Sequence, residues 1–321
     1  MLAGGFAGQM HNPLARPPSA LAHWSPIHPL GEPPVQATTA LPFFPQRIAI
    51  DIKVGPKPRA YRDVDGVGFR RGDVGTHTSR TIMLAELTAL FDAVPATASE
   101  ADITVAIRHA NCLSKSTTST RRLTHQRLTE LYALDPHVPI YRVLRRLWSL
   151  EPSGRPLLAL LVAIARDPML AASAPAVVLL PIGADFARGP MKDAIRAAIG
   201  DRLSDAILDK VVRNAASSWT QSGHLAGRSI KTRRRVIATP ATVALAVYLA
   251  HAAGFRGPHV FASAWTKLLD ADADAARSLA IEAKRAGLID MRAFGDVVDA
   301  SFDRLDPGLP AASTTTSEGV A

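Results

Sequence analysis

The chain has 321 residues, 47% hydrophobic and 20% charged, with a net charge of +9. That length holds about two domains of ordinary size, and the apolar content lets most of it fold. The single cysteine, Cys112, excludes a disulfide framework and any zinc site built on several thiolates, and the cation excess points to nucleic acid or another anionic surface.

Residues 1–82 read as a largely disordered segment. Prolines recur from Pro13 to Pro58, glycines crowd 66–75, and no helical period survives, so little apolar surface offsets the ordering entropy. Only 47–54 has the composition of a strand. Regular structure is expected from Met83, which makes that residue a candidate translation start. No apolar run reaches the ~20 residues of a spanning helix. The first ten residues also lack a basic region ahead of their apolar part. The expectation is a cytoplasmic protein without a membrane segment.

From 83 to 134 the pattern is helical. An amphipathic stretch over 83–93 stops at Pro95, and Ser99, Glu100, Ala101 and Asp102 open a second helix with acids in its first turn. A Ser/Thr run over 114–120 then precedes a cationic helix whose buried stripe is Leu123, Leu128, Leu131 and Leu134. Lys115, Arg121, Arg122, His125, Gln126 and Arg127 line its polar side without an intervening acid. Short helix, turn and basic helix form one candidate DNA-contacting helix-turn-helix, with hydroxyls and backbone N–H groups suited to phosphate. A capped surface helix explains the same residues equally well.

Residues 136–200 read as scaffold. In 139–150, Ile140, Val143, Leu144, Leu147 and Trp148 face inward and Arg142, Arg145 and Arg146 outward. The stretch 156–165 is apolar on all sides and belongs in the middle of a core. Arg166 and Asp167 form an ion pair or a cap ahead of Pro168. Residues 176–182 fit helix or strand, and a helix over 191–199 ends at Gly200.

The stretch 203–239 organises the rest. Leu203, Ile207, Leu208, Val211, Val212, Ala215 and Trp219 mark one helix face, Ser204 is a candidate N-cap, and Gly223 a stop. Two short strands, 224–228 and 234–239, flank 229–233. From Lys210 to Thr239 lie Lys210, Arg213, Arg228, Lys231, Arg233, Arg234 and Arg235, and no Asp or Glu. A helix followed by a basic ribbon is the layout of a winged helix-turn-helix, with the helix in a major groove and the ribbon on the neighbouring backbone.

Residues 240–305 repeat that grammar. Helices are expected at 241–253, 260–269 and 273–286, then a hairpin from 288–292 and 296–300 around Ala293, Phe294 and Gly295. Asp270, Asp272, Asp274, Asp290, Asp296, Asp299 and Asp303 would repel phosphate, so this unit is assigned to packing or protein contact. The tail over 306–321 reads as disordered.

No metal pattern, phosphate loop or nucleophile turn is present. Ser217, Ser218, His224 and Asp209 lie close in sequence, but a serine inside a helix offers neither a strained nucleophile turn nor an oxyanion hole. The chain reads as non-enzymatic, without metal or cofactor.

The units over about 101–239 resemble the BrxA-type proteins of BREX phage-defence systems. The likeness is carried by Leu113, Ser114, Lys115 and Ser116 through Arg121, Arg122, Arg127 and Leu128, then by Ser222, Gly223, His224 and Leu225 with their basic hairpin. The resemblance implies double-stranded DNA binding within a multi-protein defence complex, and no catalytic residue here. The fold expected is mainly α, a helical bundle with tandem winged helix-turn-helix modules carrying short β-hairpin wings. Its parts are a DNA-binding domain over 83–239 and a second winged-helix-like module over 240–305 that could meet other defence proteins. The residues expected on DNA are Lys115, Arg121, Arg122, Gln126, Arg127, Gln221, Arg228, Lys231, Arg233, Arg234 and Arg235, with Gln126 and Gln221 as base-edge candidates. A repressor with a defined operator, and a protein–protein adaptor using the acidic module, are the rival readings.

Overall fold

The computed structural model describes residues 66–70, 75–294 and 297–307. The strand expected at 47–54 and the tail beyond residue 307 lie outside these residues, as does most of the Pro/Gly-rich segment.

The chain is mainly helical. Three helices open it: α1 (Leu84–Ala93), α2 (Glu100–Arg108) and α3 (Thr118–Tyr132). Their starts follow from the sequence. Ser99 and Asp102 form a capping box on α2, and the Thr117 hydroxyl accepts the Thr120 N–H at the start of α3. Next come α4 (Pro139–Leu150), α5 (Arg155–Arg166) and the short α6 (Pro168–Ser173) and α7 (Pro175–Val178). From Leu157 to Arg166 every residue of α5 is buried, as its all-round apolar sequence requires. The ambiguous stretch 176–182 resolves as the end of α7 and a turn.

α8 (Arg188–Ile199) and α9 (Asp205–Gln221) follow, then the two-residue strands β1 (Leu225–Ala226) and β2 (Thr232–Arg233). These pair antiparallel, Leu225 opposite Arg233 and Ala226 opposite Thr232. Ser204 sits at the N-cap of α9 without a side-chain cap bond. α10 (Pro240–Ala252) is buried from Ala241 to Ala250 and packs on α4 and α5 as well as on the elements that follow it. The helix expected over 260–269 is instead a 3-10 turn, Gly257–Val260, and the single-turn α11 (Ala264–Lys267). α12 (Ala273–Arg285) leads into an antiparallel hairpin, β3 (Asp290–Phe294) and β4 (Val297–Ser301).

Three expectations are corrected. The boundary at residue 82 does not divide folded from unfolded chain, because Phe69, Thr76, His77 and Ile82 are buried in the core. Residues 239 and 240 do not separate two cores, because α10 fills the space between α4, α5 and α12. Arg145 does not face outward. It is buried, donates to the carbonyls of Phe91 at 3.1 Å and Val94 at 2.6 Å, and lies over the Phe91 ring. Its charge thereby meets the C-terminal carbonyls of α1, where a helix dipole favours a cation.

The reason the segment before Met83 folds is specific. Asp167 caps α6, accepting from Met169 N at 3.0 Å and Leu170 N at 3.1 Å. Its other oxygen accepts the His77 backbone N–H at 3.0 Å and bonds the His77 ring at 2.8 Å. Gly75 passes so close that a Cβ there would collide with the Asp167 carboxylate. Among the described residues no single helix is long and apolar enough to cross a membrane.

Because one buried carboxylate joins α6 to the segment before α1, Asp167→Ala is expected to lower the unfolding free energy by ~3–5 kcal/mol in urea titration. A loss under ~1 kcal/mol would place this contact with weak surface pairs. A chain begun at Met83 should unfold at still lower urea.

Candidate functional site

Two arrangements in the structure have the ingredients of a site. The first is a buried chain of Asp167, His77 and Ser218. His77 Nδ1 lies 2.8 Å from Asp167 Oδ2, and His77 Nε2 lies 2.8 Å from Ser218 Oγ. Burial acts to raise the Asp167 carboxyl, but the His77 charge and hydrogen bonds, with the Leu170 and His77 N–H groups, outweigh it and hold it below the usual carboxylate range.

The order of groups is that of a serine hydrolase, but their setting is different. Ser218 stands in the last turn of α9, buried, as are His77 and Asp167. Its oxygen accepts the Ile82 N–H at 3.0 Å, and its hydroxyl lies 2.9 Å from the Asn214 carbonyl one turn back. The Ile82 N–H thus points at the serine itself and is not aimed at an oxyanion. Nucleophilic attack needs a substrate carbonyl in contact with the oxygen and donors aimed at the developing charge. In this conformation the chain of bonds works as a clamp: it holds 77–82 on α9, with Asn214 Nδ2 donating to the His77 carbonyl at 2.8 Å and Gln221 Oε1 accepting the Leu84 N–H at 3.1 Å. The sequence shows Ser218 but hides both partners, which stand 141 and 51 positions away.

The second arrangement is α8, α9 and the basic hairpin. Residues 183–186 run along the outer edge of β2: Phe186 N donates to Lys231 O at 2.7 Å, Arg233 N to Ala184 O at 2.9 Å, and Asp185 bridges Thr232. β2 therefore lies between β1 and this segment. At Gly227 the backbone turns left-handed, and a Cβ there would collide with the Ile230 carbonyl, so the turn can close only on glycine. The acids that begin α9 are neutralised by α8, with Lys192 2.8 Å from Asp209 and 3.3 Å from Asp205.

The expected contact residues divide. Arg228, Arg234 and Arg235 are exposed, and so are Lys210 and Arg213 on the outer side of α9. None of the five has an ion pair among the described residues. Lys231 folds back, its Nζ 2.8 Å from the Thr220 hydroxyl and 3.2 Å from the Gly227 carbonyl. Arg233 is the clear correction. It is 1% exposed and turned inward, ion-paired with Asp270 and donating from Nε to the Val177 carbonyl at 2.9 Å. Phosphate cannot reach a guanidinium already held this way. Gln221 Oε1 is taken by the Leu84 N–H.

At the α2–α3 corner the polar residues are largely occupied. Lys115 pairs with Glu86 at 3.0 Å and Arg127 with Glu130 at 2.7 Å, while Gln126 donates to Glu130 at 3.1 Å. Arg121 donates to the Lys115 carbonyl at 3.2 Å and the Arg108 carbonyl at 3.4 Å. Of the expected set at this corner, Arg122 is exposed and has no partner among the described residues. His125 accepts from Arg108 at 2.9 Å, and burial together with that positive neighbour pushes its pKa down. Among the described residues no three His, Cys, Asp or Glu side chains gather as they would around a metal ion.

His224, at the base of the hairpin, is buried. Its Nε2 is 2.8 Å from the Leu268 carbonyl, its Nδ1 2.9 Å from the Ser222 hydroxyl, and its ring stands edge-on to Trp219. Burial is the main cause that brings its pKa from 6.5 down to about 4. No family model, curated protein or solved structure matches the chain.

Two outcomes follow from this geometry. An unfolded chain protonates His224 near 6.5 and the folded chain only near 4, so the unfolded state binds the extra proton between those values. The unfolding free energy should therefore fall by ~3 kcal/mol as pH drops through that window, and His224→Gln should remove this component in paired denaturation curves. A fluorophosphonate reagent should leave Ser218 of the folded protein unlabelled by mass spectrometry; labelling at neutral pH would mean that the clamp opens to solvent.

Proposed function

We propose that the chain binds double-stranded DNA without catalysing a reaction, using residues 168–239 as a winged helix-turn-helix. The observation that carries this reading is the set of five exposed cations, Lys210, Arg213, Arg228, Arg234 and Arg235, on one helix and its adjoining hairpin, none with a carboxylate partner among the described residues. Exposed like charges without carboxylate partners favour an external polyanion.

The element order supports the same reading: a helix, an edge segment, two helices joined by a short turn, and a hairpin whose second strand is central. In such a module the second of the paired helices lies in the major groove and the wing meets the backbone. On α9 the half available is the N-terminal one, with Lys210 and Arg213, because the segment 77–84 covers the rest. Arg228, Arg234 and Arg235 are assigned to phosphate.

The resemblance to BrxA-type proteins extends the proposal to a role in a BREX-like phage-defence complex. The C-terminal unit fits protein contact better than DNA: α12 buries little beyond Ala276, Ala280 and Ala283, and its outer side exposes Asp274, Ile281 and Glu282.

A gel-shift titration tests the DNA reading. With about five phosphates engaged, log affinity should fall against log salt with a slope near −4 to −5. Replacing Arg228, Arg234 and Arg235 together by Ala should weaken all duplex sequences alike and make the slope shallower by about 2–3. No binding at low salt, or a slope the triple substitution leaves unchanged, overturns the proposal.

A further inference from the structure

We propose that Asp270, in the C-terminal unit, is the positioning residue that holds the basic hairpin in the orientation needed to meet DNA. The inference rests on the DNA reading for its functional part and on the geometry alone for its mechanical part.

β1 and β2 are two residues each, and an isolated two-stranded hairpin is marginal even when longer. Two sets of contacts beyond its own ladder hold it. Residues 183–186 pair along the outer edge of β2, and a second set reaches the hairpin from 268–270. Asp270 Oδ1 takes the inward-turned Arg233 guanidinium, and Asp270 Oδ2 accepts the Val236 N–H at 2.9 Å. His224 reaches the Leu268 carbonyl at 2.8 Å. The hairpin is thus gripped at the residue before its first strand, at its second strand and at the residue beyond Arg235.

Asp270 itself adopts a left-handed backbone, φ 53°, uncommon for a residue with a side chain. Arg233 is buried and Asp270 partly so, its side chain 9% exposed, and removing the carboxylate is costly because the buried guanidinium loses its charge partner. Arg234 and Arg235 lie between two gripped points, Arg233 and Val236, so their outward direction is set by Asp270. The C-terminal unit, assigned here to protein contact, acts on DNA through this pin. A ligand that displaced 268–270 would loosen the wing without touching it.

The test is Asp270→Asn in the full chain, which keeps shape and removes charge. Backbone hydrogen exchange over 225–237 should quicken at least tenfold, and DNA affinity should fall about tenfold with the salt slope unchanged, since no phosphate contact is deleted. Added to the variant lacking Arg228, Arg234 and Arg235, it should cost no further affinity; a merely structural effect would add in full. Unchanged exchange over 225–237, or full additivity, overturns the inference. If circular dichroism shows that Asp270→Asn does not fold, Arg233→Lys, which keeps the charge and loses the fork, carries the same expectations. Absence of binding by the unsubstituted chain overturns the DNA reading, while exchange still decides whether Asp270 holds the hairpin.

Discussion

The buried carboxylate of Asp167 is the constraint on which this arrangement depends. It ends α5, caps α6 and receives both the backbone and the ring of His77. Through His77 it reaches Ser218 and so fixes α9. A charge taken out of water is tolerable only when surrounding donors replace its hydration, and here four do. Remove the carboxylate and α6, α9 and the segment before α1 lose their common reference.

Interior arginines show the same economy of partners. Arg145, Arg166 and Arg233 are all buried, and each spreads its guanidinium over backbone carbonyls. A planar fork with several donors suits that task better than an ammonium does. The net positive charge of the chain therefore overstates its external field. Part of it is structural, and only the outward fraction is available to a polyanion.

Helix positions were legible in the sequence wherever an apolar stripe or a capping residue was strong: α4, α5, α9, α10 and α12 lie close to where spacing and glycine stops put them. The segment before Met83 was not, because proline and glycine content reports average tendency while the fold needs only Thr76, His77 and Ile82 in place. Pairings such as His77 with Asp167 or Arg233 with Asp270 join residues 90 and 37 positions apart, and no local pattern encodes them. Of Arg233, Arg234 and Arg235 only Arg233 lies on β2, and residues directly opposite on a ladder share a face. Arg233 stands opposite the buried Leu225 and turns inward with it.

α10 has no polar side. From Ala241 to Ala250 it meets protein in every direction, with the first half of the chain on part of its circumference and α11 and α12 on the rest. Two modules joined by such a rod share their dry surface, so neither can be cut away without wetting it. Residues 75–294 are in this sense one cooperative object despite their repeated grammar, and a protease cutting just ahead of Pro240 would leave two pieces that each lack an inner wall.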